Sequence, residues 1–230
     1  MRVLQINFFA VSVKRRNGSK GELVMLTRKN QRSALKNILR MTYFAILLAL
    51  TLVLHFAVGS INTGATKISV VLIPISLCAM LLGPIAGAAL GFVYGAIVYV
   101  QLGVMGMDFF TSVLFQNAPV MTAVICLLKT TLAGFFCGLV YKMLKDKNSV
   151  AAVFVSAAVT PIVNTGIFIL LCLTLSDVLT ANFVAEGSTV IMFLVVGCAG
   201  WNFIWEFVAN MIISPALQRV LAVVSKRIIN

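Results

Sequence analysis

The chain has 230 residues, of which 61% are hydrophobic and only 10% are charged, and its formal net charge at pH 7 is +12. An average soluble domain has about 25% charged residues, so this composition excludes a soluble globular protein and also excludes an intrinsically disordered one. The mean hydropathy of +1.06 predicts an integral membrane protein in a lipid bilayer, with room for roughly five to seven spanning helices.

The first segment, residues 1–37, is polar and basic, and we expect a cytoplasmic leader that is disordered or partly helical. We expect no cleaved signal peptide, because a central apolar stretch is missing from the first 24 residues. Met25 stays open as an alternative start. Residues 38–223 form the predicted transmembrane domain, and residues 224–230 form a basic cytoplasmic tail.

Six apolar stretches are predicted to span the membrane, at residues 38–58, 68–82, 84–102, 119–141, 150–175 and 189–223. They are continuous, whereas the strands of a membrane barrel alternate in character. The fold class is therefore all-α, an integral membrane bundle of six transmembrane helices. Only Gly83 and Pro84 separate the second span from the third, which predicts a tight hairpin. Pro215 is predicted to divide the last stretch and to leave an amphipathic surface tail at 217–229.

The basic residues predict the orientation of this bundle. Ten of the 18 lie at or before the start of the first span, three lie at 142–147, and three lie at 219–227. With six spans these three places share one side, so the positive-inside rule makes both termini cytoplasmic. Asp108, Asp177 and Glu186 then fall in external loops. Nucleic-acid binding is not predicted, because the charge flanks spans and lacks interleaved aromatic residues.

Small residues at four-residue spacing let helices approach closely in lipid. Glycines recur at this spacing from Gly83 to Gly95 in the third span, and we expect them to pack within the chain. The first span carries one such pair, Ala45 and Ala49. That pair is either a chance occurrence or a docking face for another membrane subunit.

Two ionisable residues fall inside predicted spans, Lys129 in the fourth and Glu206 in the sixth. Each lies 13 positions before a basic residue, Lys142 or Arg219, that marks the cytoplasmic surface. At 1.5 Å per residue, both are about 20 Å from that surface. Charge inside a membrane is costly, and the matching depth predicts a pair that either holds the bundle together or contacts a polar solute.

Asparagines form a second polar layer nearer the external side. Asn164 and Asn202 lie about 25 Å from the cytoplasmic surface by the same count. Polar groups that converge on the outer half predict a solute pocket open to the outside, although each amide alone would equally suit a helix-to-helix hydrogen bond. The candidate substrate-binding residues are Asn164, Asn202, Glu206, Lys129, Trp201, Asn117, Asn62 and Asp108.

The sequence does not predict an enzyme. It has no G-x-x-x-x-G-K-[ST] motif for ATP hydrolysis. The one histidine, His55, is expected at the membrane interface, and it cannot by itself supply a zinc site or a serine-protease mechanism. The five cysteines lie inside apolar runs without a C-x-x-C pair, so no disulfide, metal or cofactor is predicted.

From about Arg32 onwards the chain resembles the substrate-binding S components of energy-coupling-factor (ECF) vitamin transporters. The resemblance lies in the order of a basic segment with A-x-x-x-A at Ala45 and Ala49, then LLGPIAGAALGFVYG, APVMTAVICLLKTTLAGFFCGLVYK, TPIVNTGIF and WNFIWEFVANMIISPAL. It implies a subunit of a prokaryotic cell membrane that binds a water-soluble vitamin near its external face. It also implies partners, a transmembrane coupling subunit at Ala45 and Ala49 and two cytoplasmic ATPases, which drive toppling of the S component.

The substrate is left open by the sequence. A buried cation near amides suits an anionic solute, which favours pantothenate over riboflavin, folate and queuosine precursors. The segment TKISVVLIP also differs from the K-L-D-x-S-D-like stretch usual in riboflavin-specific relatives. Two other classes stay open: a proton- or sodium-coupled secondary transporter with Glu206 as its coupling carboxylate, and a structural assembly protein whose amides only join helices.

Overall fold

A computed structural model describes residues 34–57, 62–63, 66–67, 70–185 and 187–229, with side chains at 34–57, 70–185 and 187–224. The leader up to residue 33 with Met25, the side chain of Asn62, Glu186 and the side chains of the basic tail from residue 225 lie outside the described residues. The described chain divides into two units, one holding residues 34–42 and 229 and the other residues 43–228. The second unit holds the candidate site.

The regular secondary structure of the described residues is helical, apart from one antiparallel pair of strands with two residues each. In chain order the elements are α1 (Ala34–Ala57), β1 (Asn62–Thr63), β2 (Thr66–Lys67), α2 (Leu72–Leu82), α3 (Pro84–Val98) with a π-helical extension (Tyr99–Val104), α4 (Phe109–Asn117), α5 (Pro119–Leu144), α6 (Ser149–Cys172) with a 3₁₀ turn (Leu173–Leu175), α7 (Ser176–Asn182), α8 (Val190–Met192) with a π-helical segment (Phe193–Gly200), and α9 (Trp201–Ile229).

Five of the six predicted spans correspond to helical segments that are long and apolar enough to cross a membrane, which confirms the helical membrane class. The second corresponds to α2, which has only 11 residues. At 1.5 Å per residue it is about 16 Å long, so it does not cover a hydrocarbon core of about 30 Å by itself. Nearly every residue of α2 is buried, as expected for a helix that is apolar all round and surrounded by others.

The predicted break between α2 and α3 is confirmed. Gly83 has a φ of 104°, a conformation that favours glycine because it lacks a Cβ atom. Pro84 then occupies the first turn of α3, where its missing N–H costs nothing.

The other glycines of the series pack inside the chain, as predicted. Cβ atoms built on Gly87, Gly91 and Gly95 would fall against backbone atoms of α5. The hydroxyl of Thr130 on α5 also donates a hydrogen bond to the carbonyl of Gly91 at 2.7 Å. Close backbone approach therefore joins α3 to α5.

The prediction that Pro215 divides the last stretch is wrong, because α9 continues through it to Ile229. Leu217 and Leu221 beyond the proline are each 4% exposed and belong to the main hydrophobic core, so they do not lie on a surface tail. Proline removes one helical hydrogen bond, and the packing of Leu217 and Leu221 against the other helices holds the end of α9 in place despite that loss.

A second hydrophobic cluster gathers the ends of several helices near the candidate site. It joins α4 and α7 to α5, α6 and the π-helical segment before α9. Its buried members are Phe110, Leu114, Ile125, Cys172, Leu179, Leu194 and Cys198. The cluster fixes α6 and α9 relative to α5, and these three helices carry the polar residues described next.

Candidate functional site

The carboxylate of Glu206 lies inside the bundle on α9, with 2% of the residue exposed. Asn164 on α6 donates from Nδ2 to its Oε2 at 3.4 Å, and Asn202, one turn earlier on α9, donates from Nδ2 to its Oε1 at 3.2 Å. Asn210 donates to the backbone carbonyl of Glu206 at 2.8 Å. The structure therefore brings three of the predicted site residues into one hydrogen-bonded group.

The carboxylate fixes the orientation of both amides. Both amides donate to this carboxyl group, so Asn164 and Asn202 each direct their NH₂ group at Glu206 and their oxygen away from it. Both Oδ1 atoms are buried and have no hydrogen-bond partner among the described residues. Buried polar atoms are nearly always paired, so each of these two oxygens lacks a hydrogen-bond donor that the described residues do not supply.

Lys129 on α5 supplies a positive charge beside this group. Its Nζ atom lies 5.1 Å from the ring centroid of Phe168, the geometry of a cation–π contact. Its charge interacts electrostatically with Glu206, but an ion pair within 4.0 Å is not among the contacts of these two described residues. The predicted pairing is therefore an interaction across the site and not a salt bridge, so the ammonium is not occupied by the carboxylate.

A cluster of phenylalanine side chains lies next to these polar groups. Phe168 follows Asn164 by one turn on α6, so the two side chains lie on the same face. Phe110 lies 5.9 Å from Phe168 and 5.2 Å from Phe183, between ring centroids. Phe183 and Phe193 stack at 5.7 Å. Aromatic side chains therefore lie next to the polar group on α6.

The other predicted site residues lie outside this group. Trp201 is 67% exposed at the start of α9. Asn117 is exposed at the end of α4, and its amide donates to a carbonyl of the same helix. Asn62 lies in β1. Asp108 is the N-cap of α4, where its carboxylate accepts from the backbone N and the hydroxyl of Thr111 at 2.9 and 2.7 Å.

Capping of α4 is a sufficient structural role for the Asp108 carboxylate, and no ligand is needed to explain its position. We expect Asp108→Ala to reduce the free energy of unfolding by about 1 kcal/mol, and Asp108→Asn to change it little, because asparagine caps helices as well as aspartate does. Neither variant should alter ligand affinity. Thermal unfolding and ligand titration of the purified variants test this, and weaker ligand binding by Asp108→Asn would return Asp108 to the binding site.

Two buried polar contacts between helices were not predicted from the sequence. His55, expected at the interface, is buried, and its Nε2 lies 2.5 Å from Oε1 of Gln101 in the π-helical extension of α3. Ser76 on α2 donates to the hydroxyl of Thr160 on α6 at 2.8 Å. The signal available for Ser76 was a hydroxyl inside an otherwise apolar helix.

The fold and the site define a multi-helix membrane protein with a buried carboxyl group and two amides whose oxygens have no hydrogen-bond partner among the described residues. A partly buried ammonium group lies nearby on α5. Residues 39–218 match the family model described as the ECF transporter, substrate-specific component. The match covers more than half of the sequence, so this chain belongs to that family, and the resemblance inferred from the sequence is confirmed.

The structure is also similar to that of ThiT from Listeria monocytogenes, with a TM-score of 0.57 and 19% identity, over 80% of this chain and 96% of that chain. At this identity the likeness shows a shared fold. No curated protein matches the chain. Members of this family are transporter subunits and not enzymes, so this chain is a substrate-binding subunit for vitamin uptake. It is also a multi-pass membrane protein. It also implies ECF transmembrane and ATPase partners.

Proposed function

We propose that this chain binds a water-soluble vitamin at Glu206, Asn164, Asn202 and Lys129 and delivers it to an ATP-driven ECF importer in the cell membrane of a prokaryote. The observation that carries the proposal is the pair of buried amide oxygens without partners beside Glu206. Such atoms are costly in a site that serves only packing, whereas a bound solute satisfies them.

We further propose that six helical elements cross or enter the membrane, with both termini in the cytoplasm. The clusters of basic residues at the two ends of the chain and at 142–147 support this orientation. It places Glu206 and its amides in the outer half of the bilayer. The phenyl cluster at Phe110, Phe168, Phe183 and Phe193 then lies between the polar group and the external surface.

Pantothenate is the first vitamin to test. Its carboxylate suits the Lys129 ammonium, which makes no ion pair with Glu206 within 4.0 Å among the described residues. Its hydroxyl groups are donors that suit the oxygens of Asn164 and Asn202. Riboflavin, folate and queuosine precursors follow, because they also combine donors with ring or acidic groups.

Ligand binding by the purified protein tests the function directly. A vitamin that binds the folded state raises the thermal midpoint by mass action, so each candidate is added to the protein in detergent or lipid nanodiscs. Uptake into cells should require the ATPase subunits and should persist when the proton and sodium gradients are dissipated. Uptake without those ATPases would indicate the secondary transporter, and the absence of any ligand-induced shift would indicate an assembly protein.

Ala45 and Ala49 are both exposed on α1, and we propose that they contact the transmembrane coupling subunit. We expect Ala45→Leu and Ala49→Leu to reduce uptake by roughly tenfold or more, because overpacking a close contact costs about 1–3 kcal/mol. Vitamin binding by the isolated subunit should stay unchanged. Ala151→Leu, at an exposed alanine of α6, is the matched control for uptake. An equal loss of vitamin binding in the α1 variants would show that these alanines serve internal packing.

A further inference from the structure

The hydrogen-bonding atoms of the site that have no partner among the described residues indicate which chemical groups of a ligand could bind there. Four side-chain oxygens lie together there, two on Glu206 and one each on Asn164 and Asn202. The two carboxylate oxygens each receive one amide N–H, whereas the two amide oxygens receive none from the described residues. Both amide NH₂ groups already face the carboxylate. The hydrogen-bonding atoms of these two amides that lack a partner among the described residues are therefore both acceptors.

We propose that the vitamin places two hydrogen-bond donors, O–H or N–H groups, between α6 and α9, one against Oδ1 of Asn164 and the other against Oδ1 of Asn202. This inference rests on the proposed function and defines the part of the ligand that this side of the site selects. A carboxylate or carbonyl group is excluded there, because its oxygens would face the two amide oxygens, which are also acceptors, and no donor would pair with them.

An acidic part of the ligand has a different place. The Lys129 ammonium approaches from α5 above the ring of Phe168, and an anion there gains a charge-assisted hydrogen bond. The site thus distinguishes the two ends of a molecule, with donors toward α6 and α9 and acceptors toward α5. A vitamin that carries both a donor pair and an acid binds in one orientation.

The test measures how affinity depends on the ligand's donors. Wild-type protein is titrated with pantothenate, riboflavin and folate, and each vitamin that binds is compared with derivatives in which one O–H or N–H donor at a time is methylated. The same titrations are made with Asn164→Ala and Asn202→Ala. Asn182→Ala is the matched control, because the amide of Asn182 is exposed and donates to a carbonyl of its own helix, α7.

We expect methylation to weaken binding to wild type and to Asn182→Ala by about 10- to 100-fold, the effect of losing a hydrogen bond to a buried partner. In Asn164→Ala or Asn202→Ala the vitamin itself should bind more weakly, and methylation of the donor that faces the missing amide should then change affinity less than about twofold. Such a non-additive cycle shows that the donor and the amide contact each other.

The outcomes separate this inference from the function on which it rests. If a vitamin binds wild type and its methylated derivative binds equally well, the donor assignment is overturned while the binding function stands. That comparison uses only wild-type protein, so it holds even where an alanine variant does not fold. If none of the three vitamins raises the thermal midpoint of the wild type, the proposed function and the donor assignment both fail for them.

Discussion

Glu206→Gln is expected to fold and to bind the vitamin about 10- to 100-fold more weakly than wild type. Glutamine has the same shape as glutamate, but one of its terminal groups is a donor. The NH₂ group of either Asn164 or Asn202 would then face another NH₂ group, so one of these amides must turn over to avoid an unpaired donor. Turning it replaces an acceptor with a donor on the ligand side, and the vitamin loses one hydrogen bond.

Isothermal titration of the purified variant measures this effect, with Asp177→Asn as the control. Asp177 is an exposed carboxylate in the first turn of α7, so the same chemical change there should leave affinity unchanged. Wild-type affinity in Glu206→Gln would exclude the carboxylate from the binding site.

Lys129 provides a second check on the same charge. Lys129→Met removes the cation that interacts with Glu206 and leaves the carboxylate without its counter-charge, so we expect a lower thermal midpoint. In the double variant with Glu206→Gln that loss should be smaller, because an uncompensated buried charge is the main cost of breaking such a pair. Additive effects would show that the two residues act independently.

The sequence predicted the relative positions of the site residues along their helices better than the side of the helix on which each side chain lies. Depth along a helix follows from a rise of 1.5 Å per residue, and this count placed Asn164, Asn202 and Glu206 near one another. Successive residues are rotated by about 100° around the helix axis, and which direction faces the bundle depends on the neighbouring helices. Trp201 precedes Asn202 at almost the same depth, yet it is exposed.

The fold shows the same limit. Six long apolar runs predicted six membrane-length helices, and five of them are confirmed, because the hydrocarbon thickness sets the length of a spanning helix. The short helix α2 resembles a span in sequence because both are apolar all round, but here the surrounding apolar groups are those of the protein. The prediction that the helix ends at Pro215 was wrong for a related reason. The burial of Leu217 and Leu221 is a tertiary contact, and local helix signals in the sequence do not contain it.

Gly91→Ala is expected to destabilise the protein by more than about 3 kcal/mol and to yield little folded material, because overpacking a rigid contact forces the backbones apart. The added Cβ atom would collide with the backbone carbonyl oxygen of Thr130 and would lie 2.7 Å from its carbonyl carbon. These are backbone atoms of α5, so no side-chain rotation relieves the contact. Separating α3 from α5 would also break the hydrogen bond from Thr130 to Gly91.

Gly166→Ala is the matched control, because a Cβ atom at this position of α6 would meet nothing within 4 Å. Alanine favours a helix over glycine by about 1 kcal/mol, so this variant should unfold at the wild-type temperature or above it. The yield of monodisperse protein and the thermal midpoint measure both variants. A wild-type midpoint in Gly91→Ala would mean that α3 and α5 are farther apart than the structure places them. The orientation of Lys129, carried by the same α5 helix, would then need to be determined anew.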